Sequence, residues 1–187
     1  MESGAIQPAM SEHAFRIVEF SPALAEEWRA LNEAWLAEGG FAIEAKDRKV
    51  LDDPQGQILA LGGRIFFVER EDDIVGCCAL MAMDDGGFEV AKMTIAPSAR
   101  GQGLSRRLLE VCEAAAREAG APRLYLETSS TLGPALGLYD SFGFVRLPPR
   151  ETPYVRADVF MEKRLAEPAG RSRVGAVGYS DAEPGIA

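Results

Sequence analysis

The spacing of hydrophobic positions changes along the chain and predicts an alternation of strands and helices. Short runs that are apolar, or that alternate between apolar and polar residues, predict strands, whereas apolar residues three and four positions apart predict helices. We expect strands over 15–20, 64–69, 74–83, 88–95, 123–127, 144–147 and 159–164. We expect helices over 22–38, 104–119 and 134–142. An antiparallel run followed by a β-α-β unit predicts an α/β (α+β) protein with a mixed sheet covered by helices.

The first predicted helix has clear signals at both ends. Pro22 stands at its first position, where proline is favoured, and Gly39 follows its last apolar residue. Trp28 and Trp35 fall on the apolar face of this helix, so we expect both in the core. The stretch 41–61 is ambiguous because proline, aspartate and glycine turn signals interrupt its pattern.

The length of 187 residues predicts a single domain. Residues 1–13 and 166–187 lack periodicity, and we expect flexible tails there. Between them, 14–165 contains no linker and no internal repeat, which predicts one continuous domain. The chain has no apolar run of about 18 residues and no charged, apolar leader, so we expect a cytoplasmic protein without a membrane partner.

Charge and reactive side chains exclude several classes of function. A net charge of −9 argues against nonspecific nucleic-acid binding, which needs clustered Lys and Arg. His13 is the single histidine, so neither a Ser-His-Asp triad nor a histidine-based metal site is expected. Cys77, Cys78 and Cys112 are an odd number in apolar surroundings, which predicts packing in a reducing compartment rather than disulfides.

The sequence Arg100-Gly101-Gln102-Gly103 lies where a predicted strand gives way to a predicted helix. A helix N-terminus presents unpaired N–H groups and a partial positive charge, and glycines let an anion approach the backbone closely. Nearby arginines reverse the sign of the charge locally in an acidic chain. We therefore predict a phosphate-binding loop here, with a plain strand-to-helix turn as the alternative.

Two common phosphate motifs do not fit this loop. The Walker A spacing is absent, and Arg106 occupies the third glycine position of G-x-G-x-x-G. At least three strands precede the loop, whereas a dinucleotide fold carries its glycines after the first strand. A dinucleotide-dependent oxidoreductase is therefore disfavoured.

The segment Arg100–Ser105 instead fits (R/Q)-x-x-G-x-(G/A), with Ser105 at the last small position. That pattern is the acyl-CoA pyrophosphate loop of the GNAT N-acetyltransferase superfamily. The segment Leu138–Phe144 contains Tyr-x-x-x-Gly-Phe, which resembles a later element of the same superfamily. The chain is therefore similar to bacterial GNAT acetyltransferases over about 14–165. The resemblance implies a mixed, mostly antiparallel sheet of six to seven strands flanked by about four helices.

The resemblance also implies acetyl-CoA as cosubstrate and assigns residues to it. The pantetheine is expected beside the strand residues Met93, Thr94 and Ile95. The pyrophosphate is expected on the loop and helix residues Arg100, Gly101, Gln102, Gly103, Leu104, Ser105 and Arg106. Tyr139 matches the family tyrosine, which implies a proton donor to the departing CoA thiolate. Glu89 lies in the strand where some members carry a catalytic glutamate, which implies the base.

The acceptor implied by the resemblance is a primary amine. A small amine, an amino acid, and a protein lysine or N-terminus all remain open. Glu127, at the end of a strand, is a second candidate for the base or for an acceptor contact, with an ion pair to Arg123 or Arg146 as the alternative. Tyr154, together with Arg156 and Asp158, is a candidate for the acceptor pocket, with an Arg–Asp pair that orders a late loop as the alternative. Lys92 is interpreted as a surface lysine, with a position next to the site as the alternative.

A function from another class stays open beside the transferase. Many members carry an asparagine shortly before the tyrosine helix, whereas this chain has Ser129, Ser130 and Thr131 in that region. A non-catalytic acyl-CoA sensor therefore remains the alternative. The sequence also leaves a homodimer open.

Overall fold

The computed structural model describes residues 15–165, in which seven strands form one sheet. The strands are β1 (Phe15–Glu19), β2 (Arg64–Arg70), β3 (Asp73–Ala82), β4 (Phe88–Ile95), β5 (Arg123–Thr128), β6 (Val145–Arg146) and β7 (Val159–Arg164). The helices are α1 (Ala25–Glu38), α2 (Ala45–Asp52), α3 (Pro54–Gln57), α4 (Leu104–Glu118) and α5 (Gly133–Phe142). The two predicted tails lie outside the described residues.

The predicted order of strands and helices is confirmed, and β4 and β7 have the predicted bounds. The ambiguous stretch 41–61 is helical and contains α2 and α3. The predicted strand 144–147 is shorter, because only Val145 and Arg146 pair with β7. None of the helices within residues 15–165 is long and apolar enough to cross a bilayer.

The strands follow the order β1-β2-β3-β4-β5-β7-β6 across the sheet. Every neighbouring pair is antiparallel except β4 and β5, which are parallel. The mixed, mostly antiparallel sheet is therefore confirmed, with five α-helices of which α3 is a single turn. The one parallel pair lies in the middle of the sheet, where the α4 crossover connects β4 to β5.

Side chains alternate between the two faces of the sheet, and each face has its own core. On the α4 face, Phe66 and Val68 pack with Leu108. On the α2 face, Ile65 and Phe67 pack with Trp28, which is fully buried. The prediction for Trp28 is therefore confirmed. All three cysteines are buried and free, which confirms that they are packing residues.

Candidate active site

The strands β4 and β5 pair only at their beginnings and then separate. Phe88 pairs with Leu124 and Glu89 pairs with Tyr125, and the parallel ladder ends there. Beyond Glu89, β4 continues to Ile95 beside β3 alone, so the backbone groups on its β5 side have no strand partner within residues 15–165. Such an open strand edge can pair with an extended ligand.

A cleft of about 770 Å³ opens at this separation. It is bounded by β4, by the loop before α4, by α5 and by the loop that precedes β7. Ten of the predicted site residues that line it are Glu89, Met93, Thr94, Ile95, Arg100, Gly101, Gly103, Leu104, Ser105 and Arg106. Glu127, Tyr139 and Tyr154 also line it. The exposed Gln102 is the one predicted site residue outside this lining.

A bulge bends β4 where it leaves β5. Between the pairs Ala79–Ala91 and Cys77–Thr94, two residues of β4 face one residue of β3. One of the two is Lys92, whose φ of +54° lies in the left-handed region. A two-against-one bulge bends the strand and increases its twist, and this accounts for the divergence from β5.

The glycine loop has the backbone geometry that an anion site requires. Gly101 and Gly103 have φ values of +77° and +74°, which residues with a side chain rarely adopt. Gly103 is the N-cap of α4, whose first-turn N–H groups have no partner within the helix. A fifteen-residue helix therefore directs the positive end of its dipole at the cleft.

The arginines near this loop already have partners in the protein. Arg100 forms two hydrogen bonds of 2.7 and 2.6 Å with the carboxylate of Glu38, and its Nε donates to the Ile95 carbonyl at 2.9 Å. Arg106 donates to Ser141 Oγ at 2.8 Å. The guanidinium of Arg100 thus ties the end of α1 to the loop. The backbone N–H groups and the remaining N–H groups of the exposed Arg106 are left as donors for an anion.

Tyr139 lies on α5 and packs edge-on against Phe144, with ring centroids 5.9 Å apart. Its hydroxyl has no hydrogen-bond partner within residues 15–165, although the residue lines the cleft. Burial raises the pKa of Tyr139 well above its ordinary value, and the nearby Cys78 thiol adds to the shift. The phenol therefore stays protonated through neutral and moderately alkaline pH, as a proton donor requires.

Glu89 lies on the opposite face of the sheet from Tyr139. Its neighbour Val90 belongs to the core of the α4 face, so Glu89 projects to the α2 face. No hydrogen bond or ion pair within residues 15–165 involves the Glu89 carboxylate. Burial raises the pKa of Glu89; the charge of Lys46 opposes this shift and the charge of Glu127 adds to it. A carboxylate whose pKa is raised by burial is a stronger base than an exposed one.

Glu127 is held by neutral donors rather than by arginine. Tyr125 Oη donates to Oε1 at 3.1 Å, and the Thr152 hydroxyl donates to Oε2. Neither of the alternative ion pairs forms. Arg123 pairs with Asp85 and with Glu162, whereas Arg146 lies nearest to Asp140. Glu127 therefore has no cationic partner within residues 15–165, and it lies within electrostatic range of Glu89.

The interpretation of Lys92 as a surface lysine is wrong. Its side chain is only 9% exposed, and its ammonium lies 2.6 Å from Asp47 Oδ1 and 3.0 Å from Tyr154 Oη. The left-handed bulge turns this side chain inward, which no periodic strand pattern reveals. The prediction that Trp35 is a core residue also fails, because Trp35 lines the cleft and stacks on Phe41 at 5.5 Å.

Sequence reasoning missed Asp47 entirely. Asp47 is fully buried and accepts hydrogen bonds from Lys92, from Arg156 and from the backbone N–H of Glu44. The available signal was the capping box in which Glu44 and Asp47 bracket the start of α2. That signal marks a helix start and says nothing of the contact with Arg156, which lies 109 residues away.

Comparison with known proteins agrees with this geometry. A family model described as Acetyltransferase (GNAT) family matches residues 21–144. IAA acetyltransferase of Azospirillum brasilense is 39% identical over 105 residues, which cover 54% of this chain and 68% of that protein. The N-acetyltransferase YjgM of Escherichia coli is 36% identical over 86 residues, 44% of this chain and 52% of that protein.

Solved structures agree on the fold. A GNAT acetyltransferase from Staphylococcus aureus superposes with a TM-score of 0.75 at 21% identity, over 82% of this chain and all of that chain. YncA of Salmonella typhimurium, solved with its cofactor acetyl-CoA, gives 0.65 at 21% identity over 86% of this chain and 99% of its own. The chain therefore belongs to the GNAT family of acetyl-CoA-dependent N-acetyltransferases.

Proposed function

We propose that this protein transfers an acetyl group from acetyl-CoA to a primary amine by direct attack of the amine on the thioester. The single observation that carries the proposal is the opening between β4 and β5, where Glu89 and Tyr139 line one cleft from opposite faces of the sheet. An electrophile held in that opening is accessible from both faces. Acid and base can therefore act on the two sides of one reacting carbon.

The α4 face offers a seat for acetyl-CoA. The backbone edge of Met93–Ile95 is free to pair with the pantetheine amides, and the N–H groups around Gly103 are free for the pyrophosphate. A cleft of about 770 Å³ is in the range that holds a substrate of this kind. Because the guanidinium of Arg100 is paired with Glu38, its contribution to phosphate binding is to hold the loop in shape.

The α2 face receives the amine. An alkylammonium has a pKa near about 10, so the amine must lose a proton before it attacks. Glu89 accepts that proton, directly or through a water molecule, because it is unpaired and made more basic by burial. Glu127 and Tyr154 line the same part of the cleft and contact the acceptor.

Collapse of the tetrahedral intermediate breaks the bond between carbon and sulfur. The departing thiolate has a basicity near that of cysteine, about 8.5, and it takes a proton from the hydroxyl of Tyr139. This hydroxyl is protonated and has no partner within the described residues, so it is free to turn toward the sulfur. The tetrahedral adduct loses the second amine proton, which restores the Tyr139 hydroxyl, and Glu89 releases the first proton to solvent. The products are the acetylated amine and free CoA.

Release of free CoA thiol, measured over a panel of small amines, amino acids and peptides, tests the proposal. We expect amine-dependent release with one acetylated amine formed per thiol. Tyr139→Phe should abolish most of this rate and leave acetyl-CoA binding within about twofold. A protein that binds acetyl-CoA but releases no CoA with any acceptor, and that is indifferent to Tyr139→Phe, would instead be an acyl-CoA sensor.

A further inference from the structure

The α2 face of the cleft carries a buried ionic cluster that has no part in the steps of acetyl transfer described above. Asp47 Oδ1 accepts from Lys92 at 2.6 Å and from Arg156 at 2.7 Å, and Oδ2 accepts from Arg156 at 2.9 Å. Arg156 also pairs with Glu44 at 2.9 Å. These residues come from the start of α2, from the β4 bulge and from the loop before β7. One carboxylate thus ties three distant segments together.

The cluster surrounds the ring of Tyr154. Lys92 and Arg156 lie 4.7 and 4.5 Å from the ring centroid, and Lys46 lies 4.6 Å from it. The Lys92 ammonium also donates to the Tyr154 hydroxyl at 3.0 Å. Tyr154 lines the cleft, so the cluster fixes one wall of it.

Lys92 holds an unfavourable backbone conformation at this point. A φ of +54° is uncommon for a residue with a long side chain, and it persists only where the surroundings determine it. The bond to Asp47 fixes the far end of the side chain, and the bulge fixes the near end. The ammonium is therefore held on the same strand as Glu89, three residues away.

We propose that Lys92, anchored by Asp47, is a positioning residue for the acetyl transfer: its ammonium orients Tyr154 and sets the electrostatic potential at the Glu89 carboxylate. This inference rests on the proposed function, in which Glu89 is the base. Lys92 touches neither the thioester nor the transferred proton in this account. It acts through Glu89 and Tyr154.

Several charged and titratable groups from the surrounding elements face Glu89. They are Lys46 of α2, Lys92 of β4, Tyr125 and Glu127 of β5, and Tyr154 of the loop before β7. The positive charges of Lys46 and Lys92 favour the ionised carboxylate, and the negative charge of Glu127 disfavours it. Burial lowers the pKa of Lys92, and the contact with Asp47 opposes that shift and favours the charged ammonium.

The dependence of kcat/KM on pH, with an amine acceptor at saturating acetyl-CoA, tests the inference. Lys92→Met removes a positive charge from the strand that carries Glu89, so the pKa of Glu89 rises and the acidic limb of the profile moves to higher pH. Lys92→Arg keeps the charge and should keep the limb within a few tenths of a unit of the original. Acetyl-CoA affinity should stay within about twofold in both variants.

Lys163→Met is the matched control. Lys163 also pairs with a carboxylate, Glu113 at 2.5 Å, and lies 4.1 Å from the centroid of the Phe142 ring, but it is not part of the cleft lining. Lys163→Met should leave the acidic limb of the kcat/KM profile at the same pH as in the unaltered protein. A uniform loss of kcat/KM at every pH in Lys92→Met, equal to the loss in Lys92→Arg, would overturn the positioning role and leave a purely structural one.

An NMR titration of carboxyl-labelled Glu89 separates this inference from the proposed function. The Glu89 pKa should rise in Lys92→Met and in the more conservative Lys92→Gln, whether or not any acceptor turns over. An unchanged Glu89 pKa in a folded variant would overturn the inference even if the transferase is active. Absence of amine-dependent CoA release by the unaltered protein would count against the proposed function alone.

Discussion

The two sides of the cleft are built in different ways. On the α4 side the predicted acetyl-CoA seat is contiguous in sequence, because the free edge of β4, the glycine loop and the first turn of α4 all fall within residues 93–106, and only Tyr139 of α5 comes from elsewhere. The α2 side brings together α2, the β4 bulge and a late loop, and Asp47 reaches a partner 109 residues away. The contiguous side follows from local backbone chemistry, whereas the assembled side exists only after the chain has folded.

The two sides also differ in what they leave unsatisfied. On the α4 side the first-turn N–H groups of α4 have no helical partner, and the Tyr139 hydroxyl has none within residues 15–165. On the α2 side the cations Lys92 and Arg156 are already paired with the buried carboxylate of Asp47, whereas the Glu89 carboxylate has no such partner within residues 15–165. We therefore expect changes in the glycine loop to affect acetyl-CoA binding and loss of the Asp47 carboxylate to affect stability.

The largest expected effect is on the stability of the α2 side. Asp47→Asn leaves two cations facing a neutral amide in a buried position, and such a loss typically costs about 3–5 kcal/mol. Chemical denaturation, monitored by circular dichroism, measures this loss of unfolding free energy. Asp52→Asn, which removes the exposed partner of Arg29 at 3.4 Å, is the control and should cost less than about 1 kcal/mol.

Acid titration gives an independent check on Asp47. Burial disfavours its charged form, yet the hydrogen bonds from Arg156 and Lys92 lower its pKa from 3.8 to about 2. Its contribution to stability is therefore present above pH 3.8 and is lost as the pH falls toward 2. If Asp47→Asn and the unaltered protein lost stability in parallel over that pH window, the ionised Asp47 carboxylate would not make the contribution to the free energy of unfolding that we assign to it.

A somewhat smaller effect is expected on the chemical step. Glu89→Gln removes the proposed base and should lower kcat by about 100-fold or more, with the acidic limb of the pH profile lost. Steady-state kinetics over pH measure both. Glu33→Gln, which removes an exposed partner of Arg48, should leave the profile unchanged. Retention of the acidic limb in Glu89→Gln would move the role of base to another group, with Glu127 the next to test.

A change in the glycine loop should act on acetyl-CoA alone. Gly103→Val forces a branched side chain into a φ of +74°, which shifts the loop N–H groups, and we expect the calorimetric Kd for acetyl-CoA to rise at least about tenfold. Gly120→Val is matched, because Gly120 has a φ of +72° at the other end of α4. Equal losses of affinity in the two variants would reduce the loop to an ordinary turn.

The smallest effect is expected for the exposed ion pair between Glu38 and Arg100. Glu38→Gln breaks the exposed pair with Arg100, and exposed pairs contribute about 0–1 kcal/mol. We expect a Tm shift of a few degrees at most and less than threefold loss of acetyl-CoA affinity. A large loss of affinity without loss of stability would show that the pair shapes the loop more strongly than its exposure suggests.

The sequence predicts those parts of the fold and site that depend on near neighbours. The bounds of β4 and the turn at Gly103 follow from hydrophobic spacing and from glycine chemistry, and both agree with the structure. The prediction for Lys92 is wrong because a bulge breaks the alternation of its strand. The prediction for Trp35 is wrong because a cleft opens beside the apolar face of its helix. The role of Asp47 in the ionic cluster cannot be predicted from local sequence, because its partners Lys92 and Arg156 are distant in sequence.

Hydrogen exchange with and without acetyl-CoA, with NADH as the control ligand, locates the acetyl-CoA site. We expect acetyl-CoA to slow exchange in peptides covering residues 93–106, which contain the free β4 edge and the glycine loop, while NADH does not. Peptides covering α2 should change little. Absence of protection in 93–106, or protection confined to α2, would contradict the assignment of acetyl-CoA to the opening between β4 and β5.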